Sequence, residues 1–314
     1  MYSLHPHQWL PAQQGQARRG KPPPSSSQEQ PPPHCPSAAC LFLALALPFL
    51  VLPIAPLVLA LARRAWVRLA HDGELHPLLA SGRLGNTLFQ HLAVSLLAEK
   101  YDLRASYAIE AECAQLGIPL WREGRGLMTG PEVGLTDELL RALLTAPAGA
   151  RLEGTLVVEG FYQFPWFAAH LRDSVFRGPL EELISRANPW RLREGACNDT
   201  FVHVRLGDMA RKGARGAEAY IAAVGEPVGR VFVASDSPGH DTVAAILARF
   251  GGTLVELSPV RTIQFGAACG FLVLSDGTFS WAVGVLAGRG ARVRVVARDL
   301  NWGGDIIFED WARF

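Results

Sequence analysis

The chain has 314 residues, of which 30 are basic and 29 are acidic, so its formal net charge is +1. This balance gives no electrostatic reason to expect nucleic acid or another polyanion as a partner. The five cysteines form no C-x-x-C pair and no spacing with histidine that is typical of zinc sites, which argues against a structural metal.

The first part of the chain differs sharply from the rest. Residues 1–37 are rich in proline, glutamine and serine, and this composition predicts a disordered tail. Residues 38–62 carry no charge and are numerous enough to cross a bilayer as a helix. We expect a transmembrane signal anchor there, followed by a stem over residues 63–79. The alternative is a cleaved signal peptide, because Ala-Leu-Ala at residues 60–62 is typical of a cleavage site.

The orientation of this anchor is indicated by the nearest basic residues. The apolar run is followed directly by three arginines, Arg63, Arg64 and Arg68. The basic residues on its other side lie farther away and are Arg18, Arg19 and Lys21. Taken alone, the positive-inside rule would leave the C-terminal part of the chain in the cytosol.

A glycine-containing segment begins the folded part of the chain. Gly82 and Gly85 lie at the start of a helical pattern whose leucines are four residues apart and begin at Leu84. Glycines at a helix start let a ligand approach the backbone, and the N–H groups there favour an oxyanion or a hydroxyl. The alternative is an ordinary strand-to-helix turn. Farther on, residues 156–161 are typical of a buried strand and lead into an aromatic cluster, which is more typical of a core than of a sugar platform.

The second half of the chain alternates short β-branched runs with helical patterns. This alternation predicts a parallel, doubly wound α/β sheet with right-handed crossovers, which binds ligands at the C-terminal ends of its strands. The predicted strands are Thr200–Val204, Arg230–Ala234, Thr253–Leu257, Phe271–Leu274 and Arg292–Val296, and the predicted helices are Ala217–Val224, Asp241–Phe250, Thr262–Cys269 and Phe279–Gly288.

Polar residues follow the first of these strands. Strand alternation places His203 and Arg205 on one face, and an arginine at a strand end can hold a diphosphate through two parallel hydrogen bonds. Gly207 leaves room for close approach by the backbone. Asp208 follows Gly207 as a further candidate site residue, and the alternative is that its carboxylate only stabilises a turn.

Two further strands also end in polar residues. Asp236 ends the second strand, where α/β nucleotide sites bind ribose hydroxyls, and a carboxylate also complements the N–H edge of guanine. The fourth strand runs through Ser275 into Thr278 and Phe279, where hydroxyls and free N–H groups are typical of a phosphate site. The alternatives are helix-capping roles for Asp236 and Thr278.

Five segments resemble one known family in the order in which they occur. They are GRLGNTLFQ, GFYQFPWF, FVHVRLGDM, VFVASDSP and LSDGTFSWAVGVLAG. They resemble the G-x-L-G-N-x-x-F-Q, Gly-Tyr-Phe-Gln, His-x-Arg-Arg-Gly-Asp-Tyr, Phe-Ser-Asp-Asp and Ser-Asn-Ser-Thr-Phe-x-Trp-Trp segments of the galactoside α-1,2-fucosyltransferases. The resemblance covers residues from about 80 to 314.

The resemblance implies a GT-B-like α/β fold with two Rossmann-like lobes, an acceptor-side lobe over residues 80–195 and a GDP-fucose-binding lobe over residues 196–314. The implied reaction transfers L-fucose from GDP-fucose to the 2-hydroxyl of a terminal galactose in a glycan, with inversion. No metal or other cofactor is implied, and the sequence contains no Asp-x-Asp. The implied location is the Golgi membrane, as a single-pass type II protein with a lumenal catalytic domain, contrary to the local charge bias.

The resemblance also assigns roles to residues. Arg205 is implied to hold the β-phosphate of the departing GDP, and either Asp208 or His203 to act as general base. The implied donor-binding residues are His203, Arg205, Gly207, Asp208, Asp236, Ser275, Thr278 and Phe279, and the implied acceptor-side residues are Gly82, Arg83, Gly85, Asn86 and Gln90.

The chain departs from the family pattern at several positions. Leu206 replaces the second arginine, Met209 the tyrosine, Ser237 the second aspartate and Ala282 the second tryptophan. Arg205 alone can suffice, because alternation along an extended strand is expected to point Leu206 to the opposite face. The departures leave two alternatives open: a glycan- or nucleotide-binding relative that has lost turnover, and a transferase acting on another acceptor such as a protein hydroxyl.

Overall fold

The computed structural model describes residues 73–77, 83–147, 149–207, 213–297 and 306–314. The predicted tail and transmembrane anchor lie outside the described residues, as do the candidate site residues Gly82 and Asp208. None of the helices within the described ranges is long and apolar enough to cross a membrane.

The first half of the described chain is mainly helical. Its strands β1 (Glu132–Gly134) and β2 (Thr155–Val157) form a small parallel pair. Its helices are α1 (Leu84–Tyr101), α2 (Glu110–Gln115), α3 (Asp137–Thr145), α4 (Pro165–His170) and α5 (Pro179–Ala187). The helix predicted from the leucine pattern is confirmed as α1, which begins at Leu84 and therefore includes Gly85, whereas the predicted strand over residues 156–161 is limited to β2.

The second half alternates strands with helices. Its strands are β3 (Thr200–Val204), β4 (Val231–Ser235), β5 (Thr253–Leu254), β6 (Phe271–Ser275), β7 (Arg292–Val296) and β8 (Ala312–Arg313). Its helices are α6 (Ala217–Val224), α7 (Asp241–Phe250), α8 (Pro259–Ala267) and α9 (Thr278–Leu286).

These six strands form one parallel sheet in the order β5-β4-β3-β6-β7-β8. The chain begins in the middle at β3, proceeds outward to β5, and then returns to place β6 on the other side of β3. This is the strand order of doubly wound sheets, in which the direction reverses between the two central strands. The prediction of a parallel, doubly wound α/β sheet is confirmed. The third strand is shorter than predicted, and the helix that follows it, α8, begins earlier than predicted, at Pro259, which is a favourable first helical residue.

The central strand β3 is buried along its whole length and serves two cores. Val202 and Val204 belong to the core beneath α6 and α7. Phe201 belongs to the opposite core and packs against Phe265 of α8, with ring centroids 6.2 Å apart. Leu206 follows the same alternation as Val202 and Val204 and is buried with them in the core beneath α6 and α7. The prediction that Leu206 points away from the face of Arg205 is therefore confirmed.

The first half of the chain reaches the sheet through α1. Phe89 of α1 packs against Trp281 of α9 with ring centroids 4.5 Å apart, and against Phe167 with centroids 6.2 Å apart. This packing brings the N-terminal ends of α1 and α9 together beside the C-terminal ends of β3 and β6.

A buried carboxylate, that of Asp199, lies directly before the first residue of β3. Asp199 is only 2% exposed, and it accepts hydrogen bonds from the Arg230 N–H at 3.0 Å, from Arg230 Nη2 at 2.9 Å and from the guanidinium of Arg193. Burial acts to raise the pKa of Asp199, but the hydrogen bonds from Arg230 and Arg193 outweigh it and lower the pKa. This ion pair is structural, because it lies at the N-terminal end of the strand.

Candidate functional site

A cleft of about 640 Å³ opens at the C-terminal ends of β3, β4 and β5. The N-terminal ends of α1 and α9 form its other wall. The cleft therefore lies where the strand order reverses, which is the usual place for ligands in doubly wound sheets. Its polar lining includes Arg83, Asn86, His203, Arg205, Asp236 and Thr278.

The junction of α1 and α9 depends on Gly85. A Cβ atom on Gly85 would lie 2.4 Å from the Phe279 nitrogen and 2.7 Å from Thr278 Oγ1. Beside this contact, Thr278 Oγ1 donates a hydrogen bond to Asn86 Oδ1 at 2.6 Å, and Gln163 Nε2 donates to the same oxygen at 3.0 Å. Gly85 thus permits the close approach of two helices, whereas the sequence had suggested the approach of a ligand.

Replacing Gly85 with alanine is expected to lower the free energy of unfolding by about 1–3 kcal/mol, because the added methyl group meets backbone atoms that cannot rotate away. Urea unfolding of the full chain measures this change. Gly239→Ala is the matched control, since a Cβ there has nothing within 4 Å. Equal stability of the two variants would contradict the steric role of Gly85.

Asp236 is held by three groups at the end of β4. Its Oδ1 accepts hydrogen bonds from the backbone N–H groups of Leu206 at 2.8 Å and Gly207 at 3.0 Å. Its Oδ2 forms an ion pair with Arg83. Burial acts to raise the pKa of Asp236, but the Leu206 N–H, the Arg83 guanidinium and the Gly207 N–H together lower it. The predicted contacts of Asp236 with ribose or guanine would therefore compete with these bonds.

The neighbours of Gly207 leave no room for a side chain at this position. A Cβ atom at Gly207 would lie 2.8 Å from Asp236 Oδ2 and 2.9 Å from Arg83 Nη2. Any side chain at this position would therefore press against the Arg83–Asp236 pair.

Arg205 follows β3 and lines the cleft as a half-buried side chain. A Cβ atom on Gly277 would lie 2.8 Å from Arg205 Nη1, so the guanidinium lies close to the residue that directly precedes α9. Gly277 has a φ of 126°, a value that favours glycine. Arg205 therefore shares the cleft with Asp236 and Thr278, which is the arrangement expected from the sequence.

His203 lies deeper than Arg205 and is 7% exposed. Its Nδ1 is 2.7 Å from Ser280 Oγ and 3.3 Å from Ser275 Oγ, and its ring lies 4.9 Å from that of Phe279, centroid to centroid. Burial lowers the pKa of His203 to about 4, with smaller lowering by Arg205 and Arg83 and an opposing effect of Asp236. The imidazole is therefore neutral at neutral pH.

The low pKa of His203 predicts a loss of stability in acid. The unfolded chain binds a proton at this histidine near pH 6.5 and the folded chain near pH 4, so the contribution is complete above pH 6.5 and falls as the pH drops toward 4. We expect the free energy of unfolding to be about 2 kcal/mol lower at pH 5 than at pH 7.5 from this residue. Urea unfolding at the two pH values measures it. A His203→Gln variant with an unchanged pH dependence would contradict the assignment.

Several candidate residues lie outside the cleft. Gln90 is fully buried, and its Nε2 donates to the Gly160 carbonyl at 2.9 Å. Ser275 is buried and contacts His203 and Ser280. The structure therefore brings together Arg83, Asn86, His203, Arg205, Asp236, Thr278 and Phe279. It gives Gly85, Gly207, Gln90 and Ser275 supporting positions.

Sequence reasoning missed one wall of the cleft and one polar neighbour of His203. Val255, Leu257 and Pro259 form an apolar surface between β5 and α8, with the exposed Glu256 among them. Apolar residues after a strand are indistinguishable from core residues in the sequence alone. Ser280 had a usable signal in the sequence, because it is a hydroxyl residue flanked by Phe279 and Trp281 near the beginning of α9.

Within the described ranges, no group of three or more histidine, cysteine, aspartate or glutamate side chains has a geometry that could hold a metal ion. The positive charge that lines the cleft comes from Arg83 and Arg205.

No protein-family model, no curated protein and no solved structure matches this chain. The residues of the cleft and their geometry therefore carry the functional interpretation.

Proposed function

We propose that the chain is a GT-B-like glycosyltransferase that transfers L-fucose from GDP-fucose to the 2-hydroxyl of a terminal galactose in a glycan, with inversion and without a metal. The observation that carries this proposal is the position of Arg205. It lies at the end of the central strand, in a cleft at the reversal point of a doubly wound sheet. The resemblance of five segments to α-1,2-fucosyltransferases supplies the choice of donor and acceptor.

The cleft suits a sugar nucleotide in size and in chemistry. Its volume of about 640 Å³ falls within the range of small-molecule sites. A diphosphate next to Arg205 would also lie near the first turn of α9, whose free N–H groups favour an anion. The apolar surface of Val255, Leu257 and Pro259 offers a place for a purine base.

In the proposed reaction the acceptor hydroxyl oxygen forms a bond to the anomeric carbon of fucose. The bond from that carbon to the β-phosphate oxygen breaks, its electron pair stays on the departing GDP, and the hydroxyl proton passes to a general base. Arg205 stabilises the charge that develops on GDP. His203 is neutral and is one candidate for the general base, but the burial that lowers its pKa also weakens its basicity, and Asp208, which lies outside the described residues, is the other candidate.

The location proposed for this activity is the Golgi membrane. The uncharged run over residues 38–62 supports membrane anchoring. The lumenal orientation rests on the resemblance alone and opposes the charge bias of Arg63 and Arg64.

The test is an assay of the full chain with GDP-fucose and lactose, followed by determination of the product linkage by NMR. We expect fucose to be α-1,2-linked to galactose, and GDP-mannose serves as the donor control. Binding of GDP-fucose without product would instead favour a binding protein. This outcome is tested because Leu206, which replaces the second arginine of the family pattern, is buried in the core and brings no charge to the cleft. Labelling of protein but not of lactose would indicate a protein acceptor. Absence of GDP-fucose binding would reject the proposal.

A further inference from the structure

The cleft contains a second guanidinium, which comes from a different part of the chain. Arg83 lies immediately before α1 and lines the cleft together with Arg205. The second arginine of the family pattern is replaced by Leu206, whose side chain is buried in the core beneath α6 and α7. Position 206 therefore contributes no charge to the cleft, whereas Arg83 does.

Of the three bonds that hold Asp236, the ion pair with Arg83 is the one that a ligand can displace most easily. The Arg83 side chain is 51% exposed, and ion pairs of exposed side chains are weak because water screens them. Asp236 Oδ1 is held separately by the N–H groups of Leu206 and Gly207. Asp236 thus has an anchor that does not depend on Arg83.

We propose that Arg83 is an exchangeable phosphate ligand: a nucleoside diphosphate in the cleft takes its guanidinium from Asp236, and Arg83 and Arg205 then hold the diphosphate together. A diphosphate carries more negative charge than one carboxylate and offers oxygens that match both nitrogens of a guanidinium. The exchange replaces the cation that Leu206 does not provide. This inference rests on the proposed function.

The test measures the binding of GDP and of guanosine to the full chain by isothermal titration calorimetry. Arg83→Ala is expected to weaken GDP binding by about 10- to 100-fold, as for the loss of a charged hydrogen bond, and to leave guanosine binding unchanged. Arg83→Lys, which keeps the charge but loses the planar fork, is expected to give an intermediate loss. Arg186→Ala is the matched control, because Arg186 is an exposed arginine of α5 that pairs with Glu182 outside the cleft.

Asp236→Asn separates direct binding from a structural effect. The amide side chain of this variant would keep an oxygen for the two backbone N–H groups but would lose the ion pair with Arg83. Asp236 would then no longer compete with the ligand for the Arg83 guanidinium, and GDP binding is expected to tighten by about 3-fold or more. If Arg83 acted only by positioning Asp236, Asp236→Asn would weaken GDP binding as much as Arg83→Ala does. That result would overturn the inference.

Two further outcomes distinguish the inference from the proposed function. If Arg205→Ala weakens GDP binding but Arg83→Ala and Arg83→Lys do not, the inference fails and the nucleotide site stands. If Arg205→Ala, Arg83→Ala and the unchanged chain all fail to bind GDP, the proposed function fails. An equal loss of GDP and guanosine binding in Arg83→Ala would indicate damage to the cleft and would also overturn the inference.

Discussion

Replacing Arg205 with alanine is expected to lower kcat for fucosyl transfer by about 100- to 1,000-fold. Removal of one fixed donor that stabilises developing charge typically has an effect of this size. The guanidinium lies close to Gly277, which directly precedes α9. Initial rates with radiolabelled GDP-fucose at saturating lactose measure the change.

Two variants make this result interpretable. Arg205→Lys keeps the charge but lacks the planar fork that contacts two phosphate oxygens, and we expect a rate between those of the alanine variant and the unchanged chain. Arg186→Ala removes an exposed arginine of α5 and is expected to keep the full rate. A full rate for Arg205→Ala, with an unchanged unfolding transition, would remove Arg205 from the mechanism.

Replacing Asp199 with alanine is expected to lower the free energy of unfolding by about 3–5 kcal/mol, as is typical when one partner of a buried ion pair is removed. The change would leave the guanidinium of Arg193, which is 16% exposed, without its carboxylate. That guanidinium lies 4.9 Å from the ring centre of Phe232 and 4.8 Å from that of Phe265, an apolar setting that gives it little water. Urea unfolding monitored by tryptophan fluorescence measures the loss.

The matched control for Asp199 is an ion pair on the surface. Glu182→Gln breaks the contact with Arg186 on the exposed side of α5 and is expected to change stability by less than about 0.5 kcal/mol. A similar small change for Asp199→Ala would show that the buried pair contributes no more than an exposed one, contrary to the burial of Asp199.

The second half of the fold was largely predictable from the sequence. The bounds predicted for β3, β7, α6 and α7 agree with the structure, because β-branched runs and helical periodicity alternate there without interruption. The face to which Leu206 points followed from the two-residue period of a strand alone.

The contacts that shape the cleft were less predictable. The partner of Asp236 is Arg83, 153 positions earlier in the chain, and no local pattern joins two such residues. Gly85 was expected to allow the close approach of a ligand, whereas in the structure the start of another helix lies against it, and a single sequence does not distinguish the two. The small β1–β2 pair was also not predicted as a unit, because its strands have only three residues each.

The hydrogen bond between Asn86 and Thr278 joins residues 192 positions apart. Contacts between such distant parts of a chain are slow to form, because a long loop must close first. Since this bond lies where the two walls of the cleft meet, a partly folded chain has no complete binding site. A ligand of the cleft therefore stabilises the native state alone, and its concentration helps to determine how much of the chain stays folded.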